Sequence, residues 1–163
     1  EKLSEYGLPL ELKYLPVIES GLRPQVKSHA GALGLWQFMY RTGLYFGLKE
    51  NSYLDERMDP VLATDAACRY LKQLYGIYGE WNLALAAYNA GPNNIRKARE
   101  LAKTMGFDPN KWFDNVEMAT AKLFGIETFL YVRSVYKYYV VYDIRQRNIP
   151  IFQENLIPDR LIK

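Results

Sequence analysis

The chain has 163 residues, 49% of them apolar and 24% charged, the make-up of one globular domain with a sizeable core rather than a disordered segment. Its formal charge of +3 is mild, and no lysine/arginine stripe accompanies it, which excludes a dedicated nucleic-acid binder. No uninterrupted apolar run approaches membrane-spanning length, and one cysteine (Cys68) with one histidine (His29) offers neither an internal disulfide nor a metal-ligand cluster of the usual spacing.

The expectation is therefore no metal, no cofactor and no nucleic-acid partner. The first residue is Glu1, and no charged-then-apolar leader is visible. The chain reads as a fragment or mature form, with any signal or lipid anchor upstream. A membrane would be reached only through such an anchor or a domain outside this chain.

In chain order, the pattern predicts helices almost throughout. Residues 8–20 place Leu8, Leu12 and Leu15 on one face, with Pro9 tolerated in the first turn, and Gly21 and Pro24 stop the helix. A glycine-rich loop from Ser28 to Gly34 leads into a short helix carrying Leu35, Trp36, Phe38 and Met39 and ending near Gly43. Asp59-Pro60 pairs a capping side chain with proline at the first helical position. The helix it opens lines up Ala63, Ala67, Tyr70, Leu71, Leu74 and Tyr78 and breaks near Gly79. A short apolar helix follows from about Asn82 to Asn89, with Gly91 as a left-handed cap, and Asn93 or Asn94 caps the next, through about Lys103. Asp108-Pro109 starts a further turn or two containing Trp112 and Phe113. The last helix, Ile126 to Arg145, is apolar nearly all round and is expected to be central. Residues 147–163, with Pro150 and Pro158, read as an irregular strap. Cys68, among Ala66, Ala67 and Leu71, is expected to be a packed core thiol.

Three stretches put polar side chains where the pattern calls for apolar residues or a helix end. In Ile18-Glu19-Ser20-Gly21, Glu19 occupies the next position on the stripe of Leu8, Leu12 and Leu15. A carboxyl there faces the core side and lies in the last helical turn, and both desolvation and the helix dipole oppose its ionisation. The expected result is an acid able to donate a proton; the alternative is a helix end that bends into solvent. Glu11, one residue off the stripe, should be solvated. Ser20 is small enough to sit beside a sugar and donate a hydrogen bond, or is simply a local cap. In Gly31-Ala32-Leu33-Gly34-Leu35-Trp36-Gln37, the glycines permit close approach of another chain or a ligand. Gln37 needs partners, which are either sugar hydroxyl and acetamido groups or loop backbone. In Ala87-Tyr88-Asn89-Ala90-Gly91, Tyr88 and Asn89 point into one cleft if the chain reverses at Gly91, and an Asn amide matches an N-acetyl group; a capping Asn with a core Tyr is the plainer reading.

This is equipment for breaking a glycosidic bond, yet no second acid lies on an apolar stripe. Hydrolytic glycosidases normally use two carboxylates at a set separation. Asp59 is explained as a cap, and Asp55, Glu56 and Asp65 sit in polar or first-turn settings. A single acid suffices where the substrate carries its own nucleophile, as muramic acid does in its C6 hydroxyl.

Taken together, these stretches resemble the lysozyme-like domain of soluble lytic transglycosylase type, shared by the membrane-bound lytic murein transglycosylases. Glu19-Ser20 matches the family's Glu-Ser pair. Gly34-Leu35-Trp36-Gln37 matches Gly-Leu-Met-Gln with Trp for Met, and Ala87 to Gly91 matches Ala-Tyr-Asn-x-Gly in full. Glu127-Thr128 with Tyr131-Val132 matches a late Glu-Thr…Tyr-Val element. The resemblance covers about residues 8 to 142. Ala98 to Asn115 is similar to F-type members, whose upstream solute-binding-like domain this chain does not include, and the front half to D-type ones.

The resemblance implies an all-α, goose-type lysozyme-like domain over residues 1–146, with a glycan-binding groove and at most a minor hairpin. It implies cleavage of the β-1,4 bond between N-acetylmuramic acid and N-acetylglucosamine without water, leaving 1,6-anhydromuramyl ends. Glu19 would be the acid and then the base. Ser20, Gln37, Asn89 and Tyr131 would position the saccharide, and Tyr88 would support the acid or stack on a ring. The partner is then the glycan strand of peptidoglycan, and the location the periplasm or cell envelope, outer-membrane associated in the full-length protein, with the chain acting as a monomer. The alternatives are a hydrolytic goose-type muramidase on the same scaffold and a non-catalytic peptidoglycan-binding domain.

Overall fold

The computed structural model describes residues 1–146; the expected strap at 147–163 lies outside them. Among the described residues eight α-helices follow one another: α1 Lys2–Glu5, α2 Leu15–Ser20, α3 Tyr40–Tyr45, α4 Pro60–Tyr78, α5 Trp81–Ala90, α6 Pro92–Thr104, α7 Glu117–Phe124 and α8 Glu127–Gln146. Among the described residues the only β-pairing is three isolated bridges, Lys27 with Leu33, Leu33 with Phe38, and Glu50 with Asp55. The fold is all-α.

The best-marked helices begin and end where the chain chemistry says. Asp59 accepts from the amides of Val61 and Leu62 at 2.8 and 2.9 Å, Pro60 takes the first helical position, and Gly79 closes α4 at φ 67°, ψ 1°. The Glu80 carboxylate plays the same part for α5, accepting from Asn82 and Leu83.

The central helix is α5, not α8. Leu83 through Ala87 are all buried, and α5 packs against α4, α6 and α8. Along α8 only Thr128, Tyr131, Val132 and Val135 are buried, whereas Leu130, Tyr136, Val140 and Val141 are exposed. Tyrosine makes α8 look apolar on every face, but its hydroxyl lets a ring lie at the surface. Small alanines, by contrast, let α5 be approached from several sides at once.

Other boundaries differ for local reasons. The expected helix over residues 8–20 divides into a 3₁₀ turn, Leu10–Tyr14, and α2. Pro16 has no N–H to continue an α ladder, so the helix restarts there. Leu8, Leu12 and Leu15 are buried as expected, although Leu8 precedes the 3₁₀ turn and they share no single α-helical face, and Glu11 is exposed. Gly91 adopts φ 87°, ψ 144°, which is not a left-handed cap, and places Pro92 first in α6. The Asn94 amide does not cap α6; it donates back to the Ala90 carbonyl at 2.9 Å. After Asp108-Pro109, Trp112–Val116 forms a π-type turn with Asp114 at φ 58°, and α7, which no periodicity announced, follows.

Cys68 is fully buried, and that burial pushes its thiol up to about 11, so it is inert packing. Cys68→Ser buries a hydroxyl in its place, at a cost of about 1–3 kcal/mol. Melting curves should show Tm lowered by a few degrees, while turnover per folded molecule stays constant; lost turnover would mean the thiol does more than pack.

Candidate active site

Glu19 sits in the last turn of α2, which Gly21 ends in the left-handed region at φ 59°, ψ 35°. The side chain does not bend into solvent. The Tyr131 hydroxyl, delivered by α8 from 112 residues away, donates to Glu19 Oε1 at 2.5 Å. Burial raises the carboxyl from 4.5 to about 7, with the Tyr131 hydrogen bond pulling the other way. Burial first, and then the Glu19 charge, push the hydroxyls of Tyr88 and Tyr131 well above the ordinary tyrosine value. Both therefore remain protonated donors.

The helix expected from Leu35 to near Gly43 begins only at Tyr40, as α3, and the stretch from Leu35 to Met39 is instead a tight loop. Leu33 and Phe38 exchange backbone hydrogen bonds at 3.0 and 3.1 Å, and the Gln37 amide closes a turn on the Gly34 carbonyl at 3.1 Å. Gly34 stands at φ 87° and Gln37 at φ 49°, conformations no α-helix contains. The buried side chains of Leu33, Trp36 and Phe38 explain the misreading, since their density imitates a helix face.

This loop is stitched to the acid's surroundings. Ser20, 3% exposed, shares its one hydroxyl proton between the carbonyls of Pro16 and Leu35, both at 3.0 Å. Its donor thus links α2 to the loop rather than facing a ligand. The Tyr88 hydroxyl donates to the Trp36 carbonyl at 2.7 Å. Gln37 Nε2 donates to Val26 and Gly34 carbonyls, each at 2.9 Å, the backbone reading of that residue.

Gln37, Tyr88 and Asn89 come together around one cavity of about 240 Å³, which Tyr70 and Gly91 also line. Glu19, Ser20 and Tyr131 are not in its lining. Asn89 is oriented by Thr128, whose hydroxyl donates to Asn89 Oδ1 at 2.8 Å. That leaves the amide N–H groups as the donors Asn89 can offer.

Two buried charged groups escaped the sequence reading. Glu117 is 1% exposed, accepts from the Asp114 amide at 2.8 Å and pairs with Arg133 at 3.2 Å. It is not part of the Glu19 site. Arg133 lies two residues beyond Tyr131, about 200° around α8, so Glu117 packs on the face turned away from Glu19. Arg57 is 6% exposed and pairs with Asp55. Nothing in the run Asp55-Glu56-Arg57 distinguishes it from a solvated surface turn.

A helical domain without a sheet among its described residues, here holding the Glu19 carboxyl against Tyr131, is of the lysozyme-like class. Within that class, residues 2–112 match the family described as the transglycosylase SLT domain, and the chain belongs to it. It is 36% identical over 112 residues to membrane-bound lytic murein transglycosylase D of Escherichia coli (strain K12), covering 68% of this chain and 25% of that protein. It is 35% identical over 127 residues to membrane-bound lytic murein transglycosylase F of Stutzerimonas stutzeri (strain A1501), covering 72% and 25%. The crystal structure of the 70 kDa soluble lytic transglycosylase of Escherichia coli superposes with a TM-score of 0.65 at 26% identity, over 88% of this chain and 24% of that one. The chain thus spans about a quarter of the length of these relatives.

Proposed function

We propose that residues 1–146 are the catalytic domain of a peptidoglycan lytic transglycosylase, cutting the β-1,4 bond between N-acetylmuramic acid and N-acetylglucosamine without water. The observation that carries this reading is the shielded Glu19 carboxyl, raised to about 7 and bonded through Oε1 to Tyr131. With Oε1 accepting from tyrosine, the acid proton resides on Oε2, free to pass to the glycosidic oxygen. As the bond breaks, positive charge develops at C1 of the muramyl ring. The Glu19 carboxylate then takes the proton of that ring's C6 hydroxyl, and the C6 oxygen closes on C1. One proton leaves Glu19 and one returns, so a solitary carboxyl group completes the cycle. Burial favours the acid form and Tyr131 the carboxylate, and the balance near neutrality suits a group that must be both.

The Asn89 N–H groups, oriented by Thr128, would hold an acetamido carbonyl, and Tyr88 and Gln37 would shape the cavity beside it. The relatives are named membrane-bound, and no helix of the described residues is long and apolar enough to cross a membrane. The names of those relatives support a working place on the periplasmic side of the cell envelope, on glycan strands of peptidoglycan; the chain is taken to act as a monomer.

The test is digestion of purified cell wall followed by mass spectrometry. The expected fragments end one water lighter than hydrolysed ends and resist reductive labelling. Reducible ends would make the chain a goose-type muramidase, and binding without fragments a glycan-binding module.

A further inference from the structure

The loop that carries Gln37 is tied down from behind by one side chain. Arg57 Nη1 donates to the carbonyls of Gly31 and Phe38 at 3.1 and 3.2 Å, the two ends of the loop. Its Nε and Nη2 meet the two oxygens of Asp55 at 3.0 and 2.6 Å. The middle of the loop is pressed onto the same residue, for a Cβ on Gly34 would lie 1.8 Å from the Arg57 carbonyl oxygen. Only a planar guanidinium, with five N–H donors in a fixed fork, can hold two carbonyls and a carboxylate at once. A cation this buried is tolerated because the carboxylate accompanies it. A turn that needed only to be covered would not require that arrangement.

The other side of the loop holds two neighbours of the acid. The Leu35 carbonyl receives the hydroxyl of Ser20, next in sequence to Glu19, and the Trp36 carbonyl receives that of Tyr88. We propose that Asp55 and Arg57 are positioning residues for the Glu19 site, fixing residues 31–38 so that the Leu35 and Trp36 carbonyls hold Ser20 and Tyr88 in place and water stays away from the acid. For its kinetic test this rests on the transglycosylase reading above. The titratable groups facing Glu19 are Tyr131 from α8 and Tyr88 from α5. Burial and the Tyr131 bond set the Glu19 titration, so the Asp55–Arg57 pair acts on it through the loop, by excluding water. A loosened loop hydrates Glu19 and lets its titration fall toward the ordinary carboxylate range.

The experiment compares wild type with Arg57→Lys, Asp55→Asn and Arg57→Ala, each below its own melting transition. It reads kcat and KM against pH on glycan strands, and the titration of carbon-labelled Glu19 by NMR with no substrate present. A misplacement of this kind costs about 10²-fold in kcat, with KM little changed. The alkaline limb of the pH profile and the Glu19 midpoint should both move to lower pH, and added guanidinium should restore part of the loss in Arg57→Ala. Should that variant fail to fold, Arg57→Lys and Asp55→Asn carry the comparison. A lowered Tm with wild-type kcat and an unmoved Glu19 midpoint would overturn the proposal and leave the pair a structural brace. If wild type itself cuts no glycan, the functional reading fails, and the NMR midpoint still decides whether the pair governs Glu19.

Discussion

Glu19→Gln is expected to abolish glycan cleavage and, above neutral pH, to make the folded chain more stable. The glutamine Oε1 still accepts the Tyr131 hydroxyl, so the site keeps its shape while losing the only proton it can give and take. General acid catalysis contributes about 10²–10⁴-fold, and here one group serves both halves of the reaction, so the loss should reach the upper end. The stability gain follows from linkage. The folded-state pKa is raised, to about 7 from 4.5. Below pH 4.5 both states hold the proton and stability is at its fullest with respect to this group. As pH rises past that value the unfolded chain ionises first, and stability drains away until the folded carboxyl ionises near 7. The full loss is at most about 3 kcal/mol. Glutamine has no charge to desolvate and escapes it.

Melts of wild type and variant should therefore coincide at acid pH and separate above neutrality, by about 2–4 °C per kcal/mol in a domain of this size. Wild-type cleavage should itself decline as pH climbs through about 7, because the donor is then deprotonated. Glu11→Gln, at an exposed site, should alter neither property. Cleavage surviving in Glu19→Gln, or melts that coincide at every pH, would remove Glu19 from the role assigned to it.

Gly34→Ala should be the most damaging of the small substitutions. The residue sits at φ 87°, and its new methyl would lie 1.8 Å from the Arg57 carbonyl oxygen and 2.8 Å from the carbonyl carbon. Backbone strain of this type costs about 1–3 kcal/mol, and here a backbone-to-backbone collision is added that no side-chain rotation relieves. The total should exceed about 4 kcal/mol, the rare end of single-mutation effects. Gly31→Ala is the built-in comparison, with the same φ of 87° and nothing within 4 Å of the added atom. It carries the strain alone, about 1–3 kcal/mol. Urea midpoints give both values. Cleavage by any Gly34→Ala molecules that remain folded should also fall, since moving the loop displaces Gln37 and the Trp36 carbonyl that holds Tyr88. Equal costs at the two glycines would show that residues 31–38 yield easily and are not held as tightly as the contacts imply.

Much of this was legible in the chain because the responsible forces act between near neighbours. The stripe of Leu8, Leu12 and Leu15 placed Glu19 on the side where it is found, and Asp59-Pro60 and Gly79 marked both ends of α4. Where neighbours misled, the cause was one property imitating another. Leu35, Trp36 and Phe38 are apolar enough for a helix, but Gly34 and Gln37 are held at positive φ by a turn whose ends pair with each other. Tyrosine-rich α8 counted as apolar on every side and so looked central, while the alanines of α5, weak in any hydrophobicity count, mark the true centre.

By itself, then, the sequence determined most of the helical framework and singled out Glu19 as the candidate acid, since periodicity and caps are written within a few residues of where they act. It could not determine what surrounds that acid. The elevation of Glu19 to about 7 is a matter of excluded water and of a hydroxyl arriving from 112 residues away. The burial of Arg57 beneath the loop likewise depends on segments 19 and 26 residues off. Desolvation belongs to an assembled environment, so only the tertiary structure decided it.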